Sequence, residues 1–568
     1  MNPQQINTWP QHLPHELTTP ATNLYFNLFV SAARFPEKTV LVDAHGSLVY
    51  RELLDQVDRM AGFLEQDLRV RSGDRVILYM QNCREFVIAY YAILRIGAVV
   101  VPVNPMNKRA ELGHYRTDSQ AMVAFCGKEN LEELLAMEGA KELAGVVVAR
   151  GQSMDGSPME RAPSCSPAPV HDFQSSIAAA HASASLAAKD VEQLAVILYS
   201  SGTTGSPKGC MHTHRSMMAS TNSVAHWMGM QSETVVLAAL PFFHITGMQN
   251  MMNTPIYVGG TLVLLQRWNR DAAAELIARC KVTHWNMMPT MLIDFLASPH
   301  LNTYDLRSLR RLGGGGAGMP QAVGERIKAL IGLDFLEGYG LSEGMPFTGN
   351  PAAHFKRQCL GVPLFNTDVR ILEPDSLREL PRGEVGEIVV CSDKTFKGYW
   401  NNEAATRDAF VDLHGSRFFR TGDLGYMDGE GYFFIVDRLK RMVNAAGYKV
   451  WPTEVEALLH EHPDVREACV IAASDSYRGE TVKAVIVLHE AARGRVTAAD
   501  VIEWSKAKMA AYKYPRMVEF VEELPKLATG KIAWRQLQEA QRAKDRATSE
   551  APQVDTAATR ESHPPAMP

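Results

Sequence analysis

One stretch concentrates hydroxyl side chains, glycines and a lysine: Tyr199-Ser200-Ser201-Gly202-Thr203-Thr204-Gly205-Ser206-Pro207-Lys208-Gly209. Glycine lets backbone N–H groups come close to a ligand, hydroxyls add donors, and lysine adds a point charge. That set suits a polyphosphate. A Walker A loop needs a hydroxyl directly after its lysine to hold magnesium. Here Pro207 precedes the lysine and Gly209 follows it, so a second class of phosphate loop is required.

Two further stretches could complete a nucleotide site. In Gly338-Tyr339-Gly340-Leu341-Ser342-Glu343, the tyrosine offers a flat face for adenine, the serine can donate to phosphate, and the glutamate is an oxygen ligand suited to magnesium. In Thr421-Gly422-Asp423, a carboxylate can accept hydrogen bonds from ribose hydroxyls. Both have plainer readings, since Ser followed by Glu also opens helices and Asp is a common turn former. The remaining candidates are His244 after two aromatics, the glycine cluster in 312–320, the charged run Asp437-Arg438-Leu439-Lys440, and Lys531 in Pro525-Lys526-Leu527-Ala528-Thr529-Gly530-Lys531. Taken alone, that histidine is as often a packed core residue as a ligand.

Taken in order, these motifs resemble the adenylate-forming superfamily of acyl-CoA synthetases, coumarate ligases, beetle luciferases and peptide-synthetase adenylation domains. The resemblance runs from about Asn23 to Leu537. It implies that Ser200, Ser201, Gly202, Thr203, Thr204, Gly205 and Lys208 hold the β- and γ-phosphates of ATP, with Mg2+ on Glu343. It implies that Gly315, Gly316 and Ala317 wall the adenine and acyl sites, although Gly318 stands where the family usually has proline. Tyr339, Gly340 and Ser342 complete the nucleotide site, and Asp423 and Arg438 reach the ribose. His244 is then a contact of the acid, and Lys531 bridges its carboxylate to the α-phosphate. Lys440 matches the pivot between two domains. Gly447 matches the glycine beside which the pantetheine arm of coenzyme A passes. Acetate-specific relatives carry a bulky aromatic where this chain has Gly340, so an open pocket and a larger acid are expected.

The implied reaction is the two-step, ATP-dependent conversion of a carboxylic acid to acyl-AMP and then to acyl-CoA, an AMP-forming acid–thiol ligation. A carboxylate is a poor electrophile, and the barrier to activating it lies in bringing two anions together. Catalysis is therefore positioning and charge neutralisation. A medium- or long-chain fatty acid is the leading substrate. A branched or hydroxylated short acid, an aromatic acid, and loading of a separate carrier protein are the alternatives. Trp285, Met287, Met288 and Met345 are expected beside His244 in the acyl pocket. No Gly-x-Asp/His-Ser carrier signature follows Lys531.

The elements that must position these groups read as an α/β chain. The apolar run 194–198 predicts a buried strand ahead of the phosphate loop, and 50–68 has the spacing of a helix. In 86–103 a helix feeds a strand, and Arg95, Gly97 and Pro102 make that region a poor membrane span. Repeated units of this kind imply a parallel sheet with covering helices. The reading is a large N-terminal domain of stacked mixed α/β subdomains, 1–437, and a small mobile α+β C-terminal domain, 438–542. A disordered tail, 543–568, follows. Residues 151–189 are expected to be a long surface excursion.

The chain has 568 residues, 46% hydrophobic and 21% charged, which describes a globular enzyme rather than a disordered or fibrous chain. Its net charge of −5 excludes the basic footprint of a nucleic-acid binder. Eight cysteines without C-x-x-C pairing point to free thiols in a reducing compartment. With no apolar signal core in the first twenty residues, a cytoplasmic enzyme is expected. The partners expected are acid, ATP and coenzyme A; a homodimer is compatible with the sequence, which does not decide it.

Overall fold

The computed structural model describes residues 8–150, 166–183, 190–200, 207–445, 448–475, 479–526 and 532–550. The side chains of Lys440, Tyr448, Lys449 and 547–550 also lie outside the description. Two compact units divide at 435/436.

The first unit is built on three sheets. One has seven strands in the order Val170–Asp172, Gly145–Ala149, Val123–Gly127, Arg75–Tyr79, Val99–Pro102, Leu194–Ser200 and Lys208–Thr213. Its pairs are parallel except the last, an antiparallel hairpin with Ser200 opposite Lys208. Fully buried strands such as Gly145–Ala149 explain the unbroken aliphatic runs, because parallel sheets are covered on both faces. Helix Tyr50–Gln66 and the pair of helix Arg84–Arg95 with strand Val99–Pro102 lie where the periodicity places them.

The second sheet has nine strands. Its middle runs in parallel from Phe335–Leu341 through Arg311–Gly315, His284–Met287, Val235–Ala238 and Thr261–Leu264 to Thr39–Asp43. Strand Gly344–Gly349 returns antiparallel to Phe335–Leu341 through the turn that carries Ser342 and Glu343. The third sheet is antiparallel, ordered Thr367–Leu372, Gly386–Ser392, Ser416–Met427 and Phe410–Leu413.

An N-terminal strap crosses this unit. Trp9, 3% exposed, packs with ring centroids 5.4 Å from Trp227 and 5.2 Å from Phe365. The Leu17 N–H donates to Asn366 Oδ1 at 3.1 Å, and Asn366 Nδ2 returns a bond to the Leu17 carbonyl at 2.7 Å. Thr19 Oγ1 donates to Asp393 at 3.2 Å.

In the second unit, strands Tyr448–Val450, Val443–Ala445, Gly479–Leu488 and Val465–Asp475 form a sheet, with Met517–Phe520 added in parallel. Helices Pro452–Leu459 and Ala498–Lys508 accompany it.

Two expectations need correction. The stretch 151–189 is not wholly an excursion: it contains strand Val170–Asp172 and helix Phe173–Ala179, capped by Asp172, whose side chain accepts from Ser175 N–H. The tail does not begin at 543, because helix Trp534–Glu550 runs through that point. Trp534 and Leu537 pack its first turn against Cys469, Ile471, Val485 and Val487, and beyond them its anchors are polar. Gln538 accepts from and donates to Ala472 backbone at 2.9 Å each, Asp545 accepts from Ser474 N–H at 3.0 Å, and Gln541 accepts from Lys483 at 2.7 Å. A search for apolar periodicity passes over such a face. Residues 551–568 lie outside the description.

Candidate functional site

The phosphate-loop candidates divide at the edge of what is described. Ser201, Gly202, Thr203, Thr204 and Gly205 lie outside it, whereas Ser200 and Lys208 close the hairpin on either side. Helix Arg109–Ser119 clasps the hairpin's base. His114 Nε2 lies 3.3 Å from the Pro207 carbonyl, the Tyr115 and Tyr199 rings are 4.7 Å apart, and the Tyr199 hydroxyl donates to Asp118 at 2.5 Å.

One segment joins this hairpin to the Ser342-Glu343 turn. Residues 397–400 pair along the edge strand: Lys397 N–H to the Met211 carbonyl at 2.8 Å, Met211 N–H to the Gly398 carbonyl at 3.0 Å, and Trp400 N–H to the Gly209 carbonyl at 2.7 Å. Just before it, Phe396 N–H donates to the Glu343 carbonyl at 2.7 Å, and Thr395 bridges Gly344. Tyr399 therefore falls between the two candidate phosphate-side charges. Its hydroxyl donates to Glu343 Oε1 at 2.8 Å, and the Lys208 ammonium stands 5.0 Å from its ring centroid.

Beneath them, Cys210 is fully buried, with its thiol against Glu343 and the Ser200 hydroxyl. Burial, then the Glu343 charge, push this thiol well above its ordinary pKa, so it stays protonated and inert. The Tyr399 hydroxyl is raised far above its usual range by the same two causes in the same order. His212, 1% exposed, has Nε2 2.7 Å from the Ser342 carbonyl. A carbonyl only accepts, so Nε2 carries the proton. Burial lowers the pKa of this imidazole to about 4.

A second group forms one strand over. The Tyr339 hydroxyl donates to Asp423 Oδ2 at 2.7 Å, so the adenine and ribose candidates are hydrogen-bonded to each other. Asp423 is 1% exposed, and its turn is held from below by Glu387, whose Oε1 accepts from Gly422 N–H at 3.1 Å. Glu387 Oε2 takes two bonds from Arg420, at 2.9 and 2.6 Å. Gly315 pairs with Gly338, and a Cβ on it would lie 2.3 Å from the Gly338 carbonyl oxygen, so only glycine fits there. Gly316 turns the chain with φ +81° and is exposed, as is Ala317.

Gly340 does not leave an open pocket. A Cβ there would meet the Met345 Cβ at 2.4 Å and the Gly344 carbonyl oxygen at 3.0 Å, because the hairpin folds Met345 into that space. The expected pocket set also splits. Along strand His284–Met287, Trp285 and Met287 point into a core with Leu292 and Phe295, where Trp285 is fully buried. Met288 and Met345 pack instead with the cluster of Phe242, Met248, Met251 and Met252. Strand alternation sends 285 and 287 to one face together.

His244, half-buried, heads the helix of that methionine cluster: its ring centroid is 4.7 Å from Phe243, and its carbonyl accepts from Met248 N–H at 2.9 Å. The helix is π-helical over Gly247–Asn253, a geometry that is frequent at functional sites. Fully buried Gln249 and Asn253 bond each other at 2.9 Å, and Asn253 reaches Tyr90 and Tyr91 at 3.0 and 2.9 Å.

In the second unit, Arg438 N–H donates to Asp437 Oδ1 at 2.7 Å, and Asp437 Oδ2 accepts from Thr453 N–H at 2.8 Å. Lys440 lies in a short helical turn, Leu439–Arg441. Gly447 and Lys531 lie outside the described residues. The ends of the Lys531 loop are pinned by an antiparallel bridge between Lys526 and Ile532. Tyr399, Cys210, His212 and Glu387 are absent from the sequence-based set. Only the Gly398-Tyr399-Trp400 aromatic pair after a glycine offered a signal.

Among the described residues, no helix is long and apolar enough to cross a membrane, and the seven described cysteines are free. The sequence profile of the AMP-binding enzymes matches residues 28–400, and that of their C-terminal domain matches 454–531. A long-chain-fatty-acid–CoA ligase of Bacillus subtilis (strain 168) is 34% identical over 551 residues, 94% of this chain and 97% of that protein. A feruloyl-CoA synthase of Amycolatopsis sp is 32% identical, covering 88% and 94%. Among solved structures, ATP-bound MatB from Rhodopseudomonas palustris superposes with a TM-score of 0.80 at 28% identity, covering 91% of this chain and 98% of that one. The chain belongs to the AMP-binding enzymes and is an AMP-forming acid–CoA ligase.

Proposed function

We propose that this ligase activates a medium- or long-chain fatty acid. The observation that carries the phosphate side of this reading is the convergence of Lys208 and Glu343 on the two sides of Tyr399. The apolar cluster of Phe242, Met248, Met251, Met252 and Met345 supports the acid side. So does the name of the Bacillus subtilis relative.

In the first step a carboxylate oxygen attacks the α-phosphorus of ATP, the bond to the bridging oxygen breaks, and pyrophosphate leaves. Lys208 and the Ser200–Gly205 donors neutralise the β- and γ-phosphates, Tyr339 and Asp423 hold adenine and ribose, and Lys531 bridges carboxylate and α-phosphate. Removing a charged donor of this kind costs about 3 kcal/mol in comparable sites. In the second step the thiol of coenzyme A attacks the carbonyl of acyl-AMP, losing its proton, and AMP leaves. The second unit turns about Lys440 and admits pantetheine beside Gly447 between the two steps.

Magnesium fits this donor set. Among the described residues no cluster of three His, Cys, Asp or Glu could hold a metal alone. A single carboxylate, Glu343, with substrate phosphates and waters, is the usual protein share for this cation. Bound there, it screens the triphosphate charge.

A panel of saturated fatty, short branched or hydroxylated, and aromatic acids, scored by CoA-dependent AMP formation, tests the reading. Fatty acids of eight or more carbons are expected to give the highest kcat/KM. A hydroxycinnamate at the top instead would favour the aromatic reading that the feruloyl-CoA synthase relative supports. AMP release that needs a carrier protein rather than CoA would overturn the acceptor.

A further inference from the structure

The strongest unassigned feature is a tyrosine that touches both phosphate-side charges. The segment carrying Tyr399 is fixed at both ends: 397–400 are zipped to the hairpin edge, and Phe396 is bonded to the Glu343 carbonyl. The Tyr399 ring is braced by Phe396, with centroids 4.9 Å apart at 67°. Its backbone N–H donates to Thr406 Oγ1 at 2.9 Å. The side chain therefore has little freedom to follow its partners, and they must conform to it.

We infer that Tyr399 is a positioning residue of the adenylation step, its hydroxyl fixing the carboxylate of Glu343 while its ring face seats the ammonium of Lys208. The inference rests on the proposed roles of those two residues. The phenol fixes Glu343 Oε1 at 2.8 Å and so sets the plane in which the carboxylate lies. Cys210, fully buried, lies beneath with its side chain against the carboxylate. The aromatic face holds the lysine by a cation–π contact, which keeps the ammonium dischargeable to phosphate, whereas an ion pair with Glu343 would spend its charge. Tyr399 thus keeps an acid and a base of opposite sign apart within one small site.

The test uses the full chain with Tyr399→Phe, Tyr399→Leu, Glu343→Gln and the Tyr399→Phe/Glu343→Gln double variant. ATP binding is measured by calorimetry with and without Mg2+ in the absence of acid, alongside pyrophosphate release with the best acid and thioester formation from supplied acyl-AMP. Tyr399→Phe is expected to raise the Mg2+ concentration for half-maximal ATP binding about tenfold, with metal-free binding within twofold of wild type. Tyr399→Leu additionally weakens metal-free ATP binding about fivefold. The double variant should be no worse than Glu343→Gln alone. Thioester formation from acyl-AMP should change less than twofold in Tyr399→Phe, which also shows that the variant is folded.

Additive effects in the double variant, or an unshifted Mg2+ dependence in Tyr399→Phe, would overturn the inference. Tyr399→Phe losing both half-reactions in proportion to its thermal midpoint would likewise reduce the residue to a structural role. If wild-type ATP binding ignores Mg2+ altogether, the Glu343 assignment fails, and this inference fails with it for a separate and visible reason.

Discussion

Replacing His212 with glutamine separates a hydrogen bond from a titration. In the native chain the imidazole donates to the Ser342 carbonyl at 2.7 Å and holds the Ser342-Glu343 turn against the phosphate hairpin. Glutamine can donate to the same carbonyl but cannot take up a proton. Burial holds the folded pKa at about 4, against 6.5 for the free side chain. The folded value is the lower one, so the unfolded chain binds the proton first. The stability is fully present above pH 6.5 and is lost as pH falls toward 4. Between pH 7.5 and 4.5 the linkage comes to about 2.5 kcal/mol for this one residue. At roughly 2 cal/mol/K per residue, the first unit has an unfolding entropy near 0.9 kcal/mol/K, so its thermal midpoint moves by about 3 °C.

The assay is calorimetry at the two pH values for wild type and His212→Gln. His214 and His284, whose pKa values burial also lowers to about 4, titrate in both proteins and cancel. The wild type should lose about 3 °C more than the variant on acidification. Parallel profiles would refute the argument, since they would mean that His212 is hydrated or already charged in the folded state.

Other perturbations reach the remaining parts of the site. Glu387→Gln leaves either Arg420 or Gly422 N–H without its acceptor. Arg420 is 28% exposed, so the cost is about 1–2 kcal/mol. The KM for ATP should rise several-fold with kcat nearly kept, as read by initial rates. Gly340→Ala drives a Cβ into Met345 and should cost about 1–3 kcal/mol. Adding Met345→Ala should leave the thermal midpoint low, because the Met345 Cβ and the Gly344 carbonyl oxygen that the new Cβ meets both remain. Lys531→Ala should lose pyrophosphate release by about two orders of magnitude, a loss of about 3 kcal/mol, yet still convert supplied acyl-AMP to thioester. Gly447→Leu should do the reverse.

Local pattern carried the fold a long way. The strand before the phosphate loop, the helix over Tyr50–Gln66 and the βα units of the first sheet follow from apolar runs and periodicity, because burial on two faces leaves a plain record. Residues whose meaning depends on a distant partner left none. Tyr399 acts on Glu343 from 56 positions away, and Glu387 reaches Gly422 across 35. Gly340 was informative about size only until Met345 filled its space. Trp285 and Met287 were the right kind of residue on the wrong face, which strand parity alone decides once the sheet is oriented. The C-terminal helix beyond Leu537 left no apolar record, because its own Gln538, Gln541 and Asp545 hold it to strand backbone and to Lys483.

The N-terminal strap of Trp9, Leu17 and Thr19 has a bearing on how the molecule is made. Leu17 meets Asn366 across 349 positions, so the ribosome delivers one half of that contact long before the other. At bacterial-to-eukaryotic elongation speeds the wait is roughly 20–70 s. Throughout it Trp9 and Leu17 lack their Phe365 and Asn366 partners, and a nascent chain with unseated apolar residues is a natural client for chaperones that ride on the exit tunnel. Slowing translation just before codon 366 should therefore lengthen that vulnerable interval and lower the yield of active enzyme, without altering a single amino acid.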